Sequence, residues 1–248
     1  MSRLTPGQRV DAPLLNPDRI PGSVTHEAVL FDVDDTLCRY RRTGDELLAA
    51  AFERTGHDPF ITREEYHDRY PDFVDDTDSM TDLRERCFAA IAEGKGRDPS
   101  VGRSIAEVYA DERDHGNVEP LAGVETALDA VGDRPLGVVT NGAPEMQSAK
   151  LEALGLDDAF DVVVHAGYDA PAKPSPEPFE AALSELSVRP ERAVHVGNSL
   201  RSDVAGARAA GVRTVWLAEE ADPSTVPDPE PDHAISTLSE LPSVVGRR

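Results

Sequence analysis

Two aspartates, Asp32 and Asp34, stand two positions apart where the apolar run EAVLFDV (27–33) ends. A carboxylate at the end of such a run is costly to bury unless a cation or a metal meets it. Three other short segments carry chemistry to match. VVTNG (138–142) ends in Thr140 and Asn141, with Gly142 opening a turn, so that a hydroxyl and neighbouring backbone N–H groups can hold a phosphate oxygen. AKPSPEPF (172–179) presents Lys173, whose ammonium would neutralise a carboxylate and a phosphate together. HVGNSLRSD (195–203) offers the Asn198 amide oxygen and the Asp203 carboxylate, oxygen donors of the kind magnesium takes.

Each segment also has a plain structural reading. Asp32 can cap a turn, Thr140 and Asn141 can form an ordinary strand–helix junction, and Lys173 can sit on a proline-rich surface loop. Asp203 can simply favour a helix N-terminus. A second Asp-x-Asp, Asp76 and Asp78, lies in a polar stretch and reads as a solvated loop.

The four segments gain weight from the elements that must position them. Short apolar runs recur at LGVVT (136–140), DVVVHA (161–166), AVHVG (193–197) and VRTVWLA (212–218), as in strands buried on both faces. Helical patterns alternate with them: GVETALDAVG, PEMQSAKLEALG, PEPFEAALSEL and DVAGARAAG. Strand–helix alternation predicts an α/β fold with a parallel sheet, and each chemical segment falls at the C-terminal end of a strand, where open α/β sheets bind ligands. Residues 40–118 break the rhythm, with four helical patterns and no comparable strand run. They read as a helical insert after the first strand, and residues 1–25, with four prolines, read as an extension.

Composition narrows the partners. The chain carries 47 acidic against 25 basic residues, a net charge of −22, which repels nucleic acid and argues for local cations or a metal wherever an anion binds. Only three of the basic residues are lysine: Lys95, Lys150 and Lys173. Acid-rich, lysine-poor composition resembles that of cytosolic proteins from salt-loving archaea, where salt screens the self-repulsion. No apolar run approaches the ~20 residues of a membrane span. No secretion signal is visible, and two cysteines suggest no disulfide framework, so a cytoplasmic location and no membrane partner are expected.

In this order and spacing the segments resemble the haloacid dehalogenase-like hydrolase superfamily, over about 26–39 and 119–240. TNGAPEMQSAKLEALGLDDAFDVVV, followed by AKPSPEPF and VHVGNS, is similar to the branch holding nucleotidases, sugar-acid phosphatases and dehalogenases. The resemblance implies a Rossmann-like core (26–39 and 119–248) flanked by helices, with residues 40–118 as a helical cap that selects the substrate. It further implies a phosphatase acting on a small phosphorylated metabolite, with Asp32 as nucleophile, Asp34 as general acid and base, and Lys173 completing the catalytic group. Thr140, Asn141 and Lys173 would bind substrate, and Asp32, Asp34, Asn198 and Asp203 would hold Mg2+. The family usually carries Asp where this chain has Asn198, so a catalytically weakened or purely binding member is one alternative. A metal-independent 2-haloacid dehalogenase is another, although the dehalogenases this branch resembles lack the acid at the Asp34 position.

Overall fold

Strand β1 (Ala28–Phe31) is buried on both faces and has parallel neighbours on both edges. The chain is described from a computed structural model, over residues 26–73, 77, 79–219 and 226–246. The expected extension at 1–25 and the second Asp-x-Asp pair lie outside those residues. On one side β1 pairs with β4 (Leu136–Thr140) and on the other with β6 (Ala193–Gly197), with Phe31 opposite both Val138 and Val196. The sheet continues outward through β5 (Val162–His165) beyond β4, and through β7 (Arg213–Leu217) and β8 (His233–Ile235) beyond β6. All six strands are parallel, in the order β5-β4-β1-β6-β7-β8. The loops leaving β1, β4 and β6 therefore emerge side by side.

Period-two alternation along β1 decides how the helices pack. Val29 and Phe31 join one apolar cluster, with Val124 and Ala127 of α5 (Val124–Val131) and Leu241 of α9 (Leu241–Val245). Ala28 and Leu30 point to the other face, against Phe179 and Leu183 of α7 (Glu177–Leu186) and Ala207 of α8 (Ala205–Ala209). With both faces covered, the central strands read as unbroken apolar runs rather than alternating ones. Helix α6 (Pro144–Ala153) follows β4 and brings Gln147, Lys150 and Leu151 inward, at the i, i+3, i+4 spacing of one helical face.

Residues 44–112 supply four helices around their own apolar cluster, which includes Leu47, Phe52, Leu83, Phe88 and Ile105. Two start in reciprocal capping boxes: α1 (Gly44–Thr55) on Thr43 and Glu46, and α2 (Arg63–Arg69) on Thr62 and Glu65. Ser79 caps α3 (Met80–Gly94), and Asp98 caps α4 (Pro99–Glu112).

The structure corrects the sequence reading at three places. A two-stranded antiparallel ribbon, β2 (Cys38–Tyr40) with β3 (Val118–Pro120), stands where the chain enters and leaves the helical segment. Strand β8 and helix α9 extend the fold beyond the last expected strand. Strands of three residues are too short to show a period, which is why β2, β3 and β8 escape a pattern search. The helix expected over DVAGARAAG is divided: Leu200–Val204 forms a π-helical turn on the Ser199 cap before α8 begins.

The α3–α4 packing depends on Gly102, where a Cβ would lie 2.2 Å from the Phe88 carbonyl oxygen and 2.7 Å from the Ala89 nitrogen. Backbone on both sides leaves nothing free to yield. Gly102→Ala is expected to destabilise the protein by about 2 kcal/mol or more, seen as a lower urea midpoint. An unchanged midpoint would show that the two helices can separate at little expense.

Candidate active site

Asp32 leaves β1 with its N–H still bonded to the Val196 carbonyl at 3.0 Å, so the sheet itself fixes where its side chain starts. That carboxylate is buried, and Lys173 meets it: Nζ donates to Asp32 Oδ1 at 2.8 Å. The same ammonium donates to Asp203 Oδ1 at 2.6 Å and to the Val139 carbonyl at 2.7 Å. Three N–H donors meet three acceptors, and one positive charge serves two buried carboxylates. Lys173 is held in turn by Asn141, whose Oδ1 accepts from the Lys173 N–H (2.9 Å) and whose Nδ2 donates to the Lys173 carbonyl (3.2 Å).

Asp203 has both oxygens engaged. Oδ1 faces Lys173 and lies 3.3 Å from His195 Nε2, and Oδ2 accepts from the Ser199 N–H at 3.0 Å. The π-helical turn brings this carboxylate against Gly197, where a Cβ would lie 2.4 Å from Asp203 Cγ. Only glycine permits that approach. Burial holds the His195 imidazole below its ordinary pKa, so it is neutral and donates Nε2–H to Asp203.

Electrostatics divides the two carboxylates. Burial, reinforced by the charges of Asp203 and Asp34, pushes Asp32 up to about 7 against the pull of Lys173. Burial also opposes the charge on Asp203, but Lys173 and His195 outweigh it and hold that carboxyl well below the usual range.

Asp34 lies apart from this cluster. Its Oδ1 accepts from Lys150 Nζ at 2.5 Å and its Oδ2 from Gln147 Nε2 at 2.7 Å, both donors being fully buried on α6. Lys150 also lies 4.8 Å from the centre of the Tyr40 ring, which stabilises its buried charge from the other side. Lys150 and Gln147 escape sequence reasoning. Lysine rarity, which draws attention to Lys173, applies equally to Lys150 and is the signal that would have found it.

Thr140 is buried; its Oγ1 accepts from the Gly142 N–H at 3.1 Å, and its hydroxyl proton finds no acceptor among the described residues. It is therefore available to a substrate oxygen. Asn198 sits in a loop pinned by Trp216, whose Nε1–H donates to the Asn198 carbonyl at 2.8 Å. Among the described residues no hydrogen bond engages the Asn198 side-chain amide, and none ends on the Asp34 carbonyl.

The donor chemistry suits magnesium. Asp32 supplies a carboxylate, Asp34 a backbone carbonyl and Asn198 an amide oxygen, all oxygen donors of the kind magnesium takes alongside water and substrate. Asp203, whose oxygens are occupied, is placed to hold Lys173. Among the described residues no three Asp, Glu, His or Cys side chains converge as a metal site. A cavity of about 930 Å3 lies beside the Lys173 cluster, lined by Asp35, which follows Asp34, by Asn198 and Trp216, and by Tyr66 and Tyr109 from the four-helix segment; Asp32, Asp34 and Lys173 are not among its lining residues.

The carboxylate pair has a signature in stability. A raised Asp32 pKa favours the folded state fully below the ordinary carboxylate value of 3.8, and that contribution is lost as pH rises through about 7. Asp32→Asn is therefore expected to melt higher than wild type at pH 8 in EDTA, with the gap closing as pH falls toward 4. Scanning calorimetry across that range checks it. A variant that melts lower at pH 8 would show that Asp32 is not burdened by its burial.

Residues 26–211 match the haloacid dehalogenase-like hydrolase family. The chain is 31% identical to ribulose-1,5-bisphosphate 5-phosphatase of Halopiger xanaduensis, over 88% of this chain and 98% of that one. It is 31% identical to glyceraldehyde 3-phosphate phosphatase of Methanopyrus kandleri, over 88% and 97%. Phosphoserine phosphatase of Thermus thermophilus is 36% identical, and the matched stretch spans 64% of either protein. Among solved structures, 2-haloacid dehalogenase of Pseudomonas syringae has a TM-score of 0.64 at 28% identity, covering 89% of this chain and 98% of that one. The magnesium-bound putative hydrolase YfnB of Bacillus subtilis shares the fold with a TM-score of 0.70 at 23% identity, over 89% and 99%.

Proposed function

Because this chain belongs to the haloacid dehalogenase-like hydrolases, we propose that it is a magnesium-dependent phosphatase that passes the phosphoryl group of a small ester through Asp32. The observation that carries this reading is the dedicated pair of donors on Asp34. A dehalogenase needs no second acid there, whereas phosphate transfer must protonate a leaving alcohol. Lys150 and Gln147 fix the position of the Asp34 side chain beside the nucleophile's loop. The full-length relatives named as phosphatases support the same choice.

In the first step an Asp32 oxygen forms a bond to phosphorus as the ester P–O bond breaks. Asp34 in its protonated form gives its proton to the departing alcohol, then takes one from the water that cleaves the aspartyl phosphate. Both proton transfers require Asp34 to loosen its contact with Lys150, and an incoming phosphate supplies a competing anion for that ammonium. Lys173 orients Asp32 and offsets its charge, so that one carboxylate can approach a negatively charged phosphoryl group. The Thr140 hydroxyl holds a phosphoryl oxygen, and Asn141 acts one step back by fixing Lys173. Asp32, the Asp34 carbonyl and Asn198 would hold the magnesium ion, which when bound neutralises phosphoryl oxygens. Asn198 leaves that site one charge short of the family pattern.

Hydrolysis of an aryl phosphate in molar salt is expected to require added magnesium and to stop on EDTA treatment. Asp32→Asn should lower turnover by at least about a thousandfold, and Asn198→Asp should lower the magnesium concentration needed for half-maximal rate. Halide release from 2-haloacids in EDTA, without ester hydrolysis, would establish the dehalogenase reading instead.

A further inference from the structure

In a chain of net charge −22, several arginines lie beside a carboxylate: Arg54 with Glu112, Arg69 with Asp72, Arg192 with Glu27. Among the described residues three arginines lining the large cavity, Arg63, Arg84 and Arg113, do not, and two of them, Arg84 and Arg113, meet at one tyrosine. Arg84, on α3, is 91% buried by its 9% exposure, yet it makes no ion pair or hydrogen bond to any described residue, and its Nε is enclosed without an acceptor. Its guanidinium carbon lies 4.9 Å from the centre of the Tyr109 ring. Arg113 approaches the same ring at 5.5 Å, donates Nη2–H to the Tyr109 hydroxyl at 2.8 Å, and stacks over Tyr40 at 4.3 Å. Neither forms an ion pair among the described residues, whereas Arg42 and Arg39 of the same cavity pair with Glu112 and Glu219.

Two like charges on one buried tyrosine, with no anion between them, are unfavourable in the empty protein. Cation–π attraction offsets about 1 kcal/mol for each, too little to compensate a buried guanidinium for its lost water. Guanidinium forks suit planar or tetrahedral oxyanions, and both open onto the cavity that Asp35 and Asn198 also line. A volume of about 930 Å3 admits a metabolite long enough to touch both ends.

We propose that Arg84 and Arg113, set against Tyr109, form a second anion subsite, and that the substrate is a small phosphate ester bearing another anionic group, phosphate or carboxylate, at its far end. This rests on the phosphatase reading above. The subsite would select the ester through an end of the molecule that does not react, which is how remote binding energy sharpens specificity.

The test compares kcat/KM, in molar salt with magnesium, for bisphosphates, phosphocarboxylates of similar length, and monophosphates with neutral tails. At least one dianionic class is expected to exceed the neutral-tailed class by about a hundredfold or more, and the better class identifies the second anion. Arg84→Met is expected to shrink that ratio at least about tenfold, mainly through KM. Arg113→Met should act in the same direction and serves if the first variant does not fold. A wild-type ratio within about threefold, or variants that slow all three classes alike, would overturn the subsite while leaving the phosphatase reading intact. If wild type hydrolyses no ester, the phosphatase reading falls instead. Calorimetric titration of Asp32→Asn protein with a bisphosphate then decides the subsite: binding weakened at least about tenfold by adding Arg84→Met supports it, and unchanged binding ends it.

Discussion

One ammonium shared by two buried carboxylates is the interaction on which the rest of the site turns. Lys173 reaches Asp32, Asp203 and the Val139 carbonyl at once, and so ties together the loops that leave β1, β4 and β6. Removing a charge of either sign from such a cluster changes the protonation of what is left, because partners in low dielectric cannot be titrated independently. The arrangement leaves the core with a surplus negative charge when both carboxylates are ionised. That surplus would favour a cation beside Asp32, whose burial already opposes its charge.

The second acid is held by a separate system. Asp34 belongs to α6 through Lys150 and Gln147, and Lys150 belongs to the β2–β3 ribbon through Tyr40. Tyr40 in turn carries Arg113 on its ring and shares a 2.7 Å hydrogen bond with His115 Nδ1. A continuous set of contacts thus runs from Asp34, through the ribbon, to the residues at the exit from α4. The ribbon is where the helical segment joins the sheet, so anything that changes its twist bears on Lys150, and through it on Asp34.

Much of this was legible in the sequence, and the reasons differ by element. Strands β1, β4, β5, β6 and β7 announced themselves because burial on both faces leaves an apolar run that polar neighbours delimit. The ribbon and β8 did not, since three residues carry no periodicity and tertiary packing alone makes them strands. Asp32, Thr140, Lys173 and Asp203 stood out through their place at strand ends. The roles within the cluster were hidden: nothing in a one-dimensional pattern says that both Asp203 oxygens are filled, or that the Asn141 amide grips the Lys173 backbone from both sides. Lys150 was hidden for a further reason. A lysine on an amphipathic helix normally marks the solvent face, and only the fold shows that this one points inward.

Asn198 is best understood against that charge balance. An aspartate there would add a third carboxylate near a cluster already served by a single lysine, raising Asp32 further in the metal-free protein and making the metal-bound form correspondingly more favourable. The amide keeps an oxygen at the same place and drops the charge, so the empty site is less strained and the filled one less tightly bound. The two effects have one origin, because the repulsion that burdens the empty state is the attraction that a cation satisfies. A chain of net charge −22 keeps cations near its surface in any case. Weak intrinsic affinity is then compatible with an occupied site wherever the divalent ion is abundant. On the proposed reading, the asparagine would move the protein toward stability without a metal, at the expense of grip, and leave Asp32 and Asp34 in place.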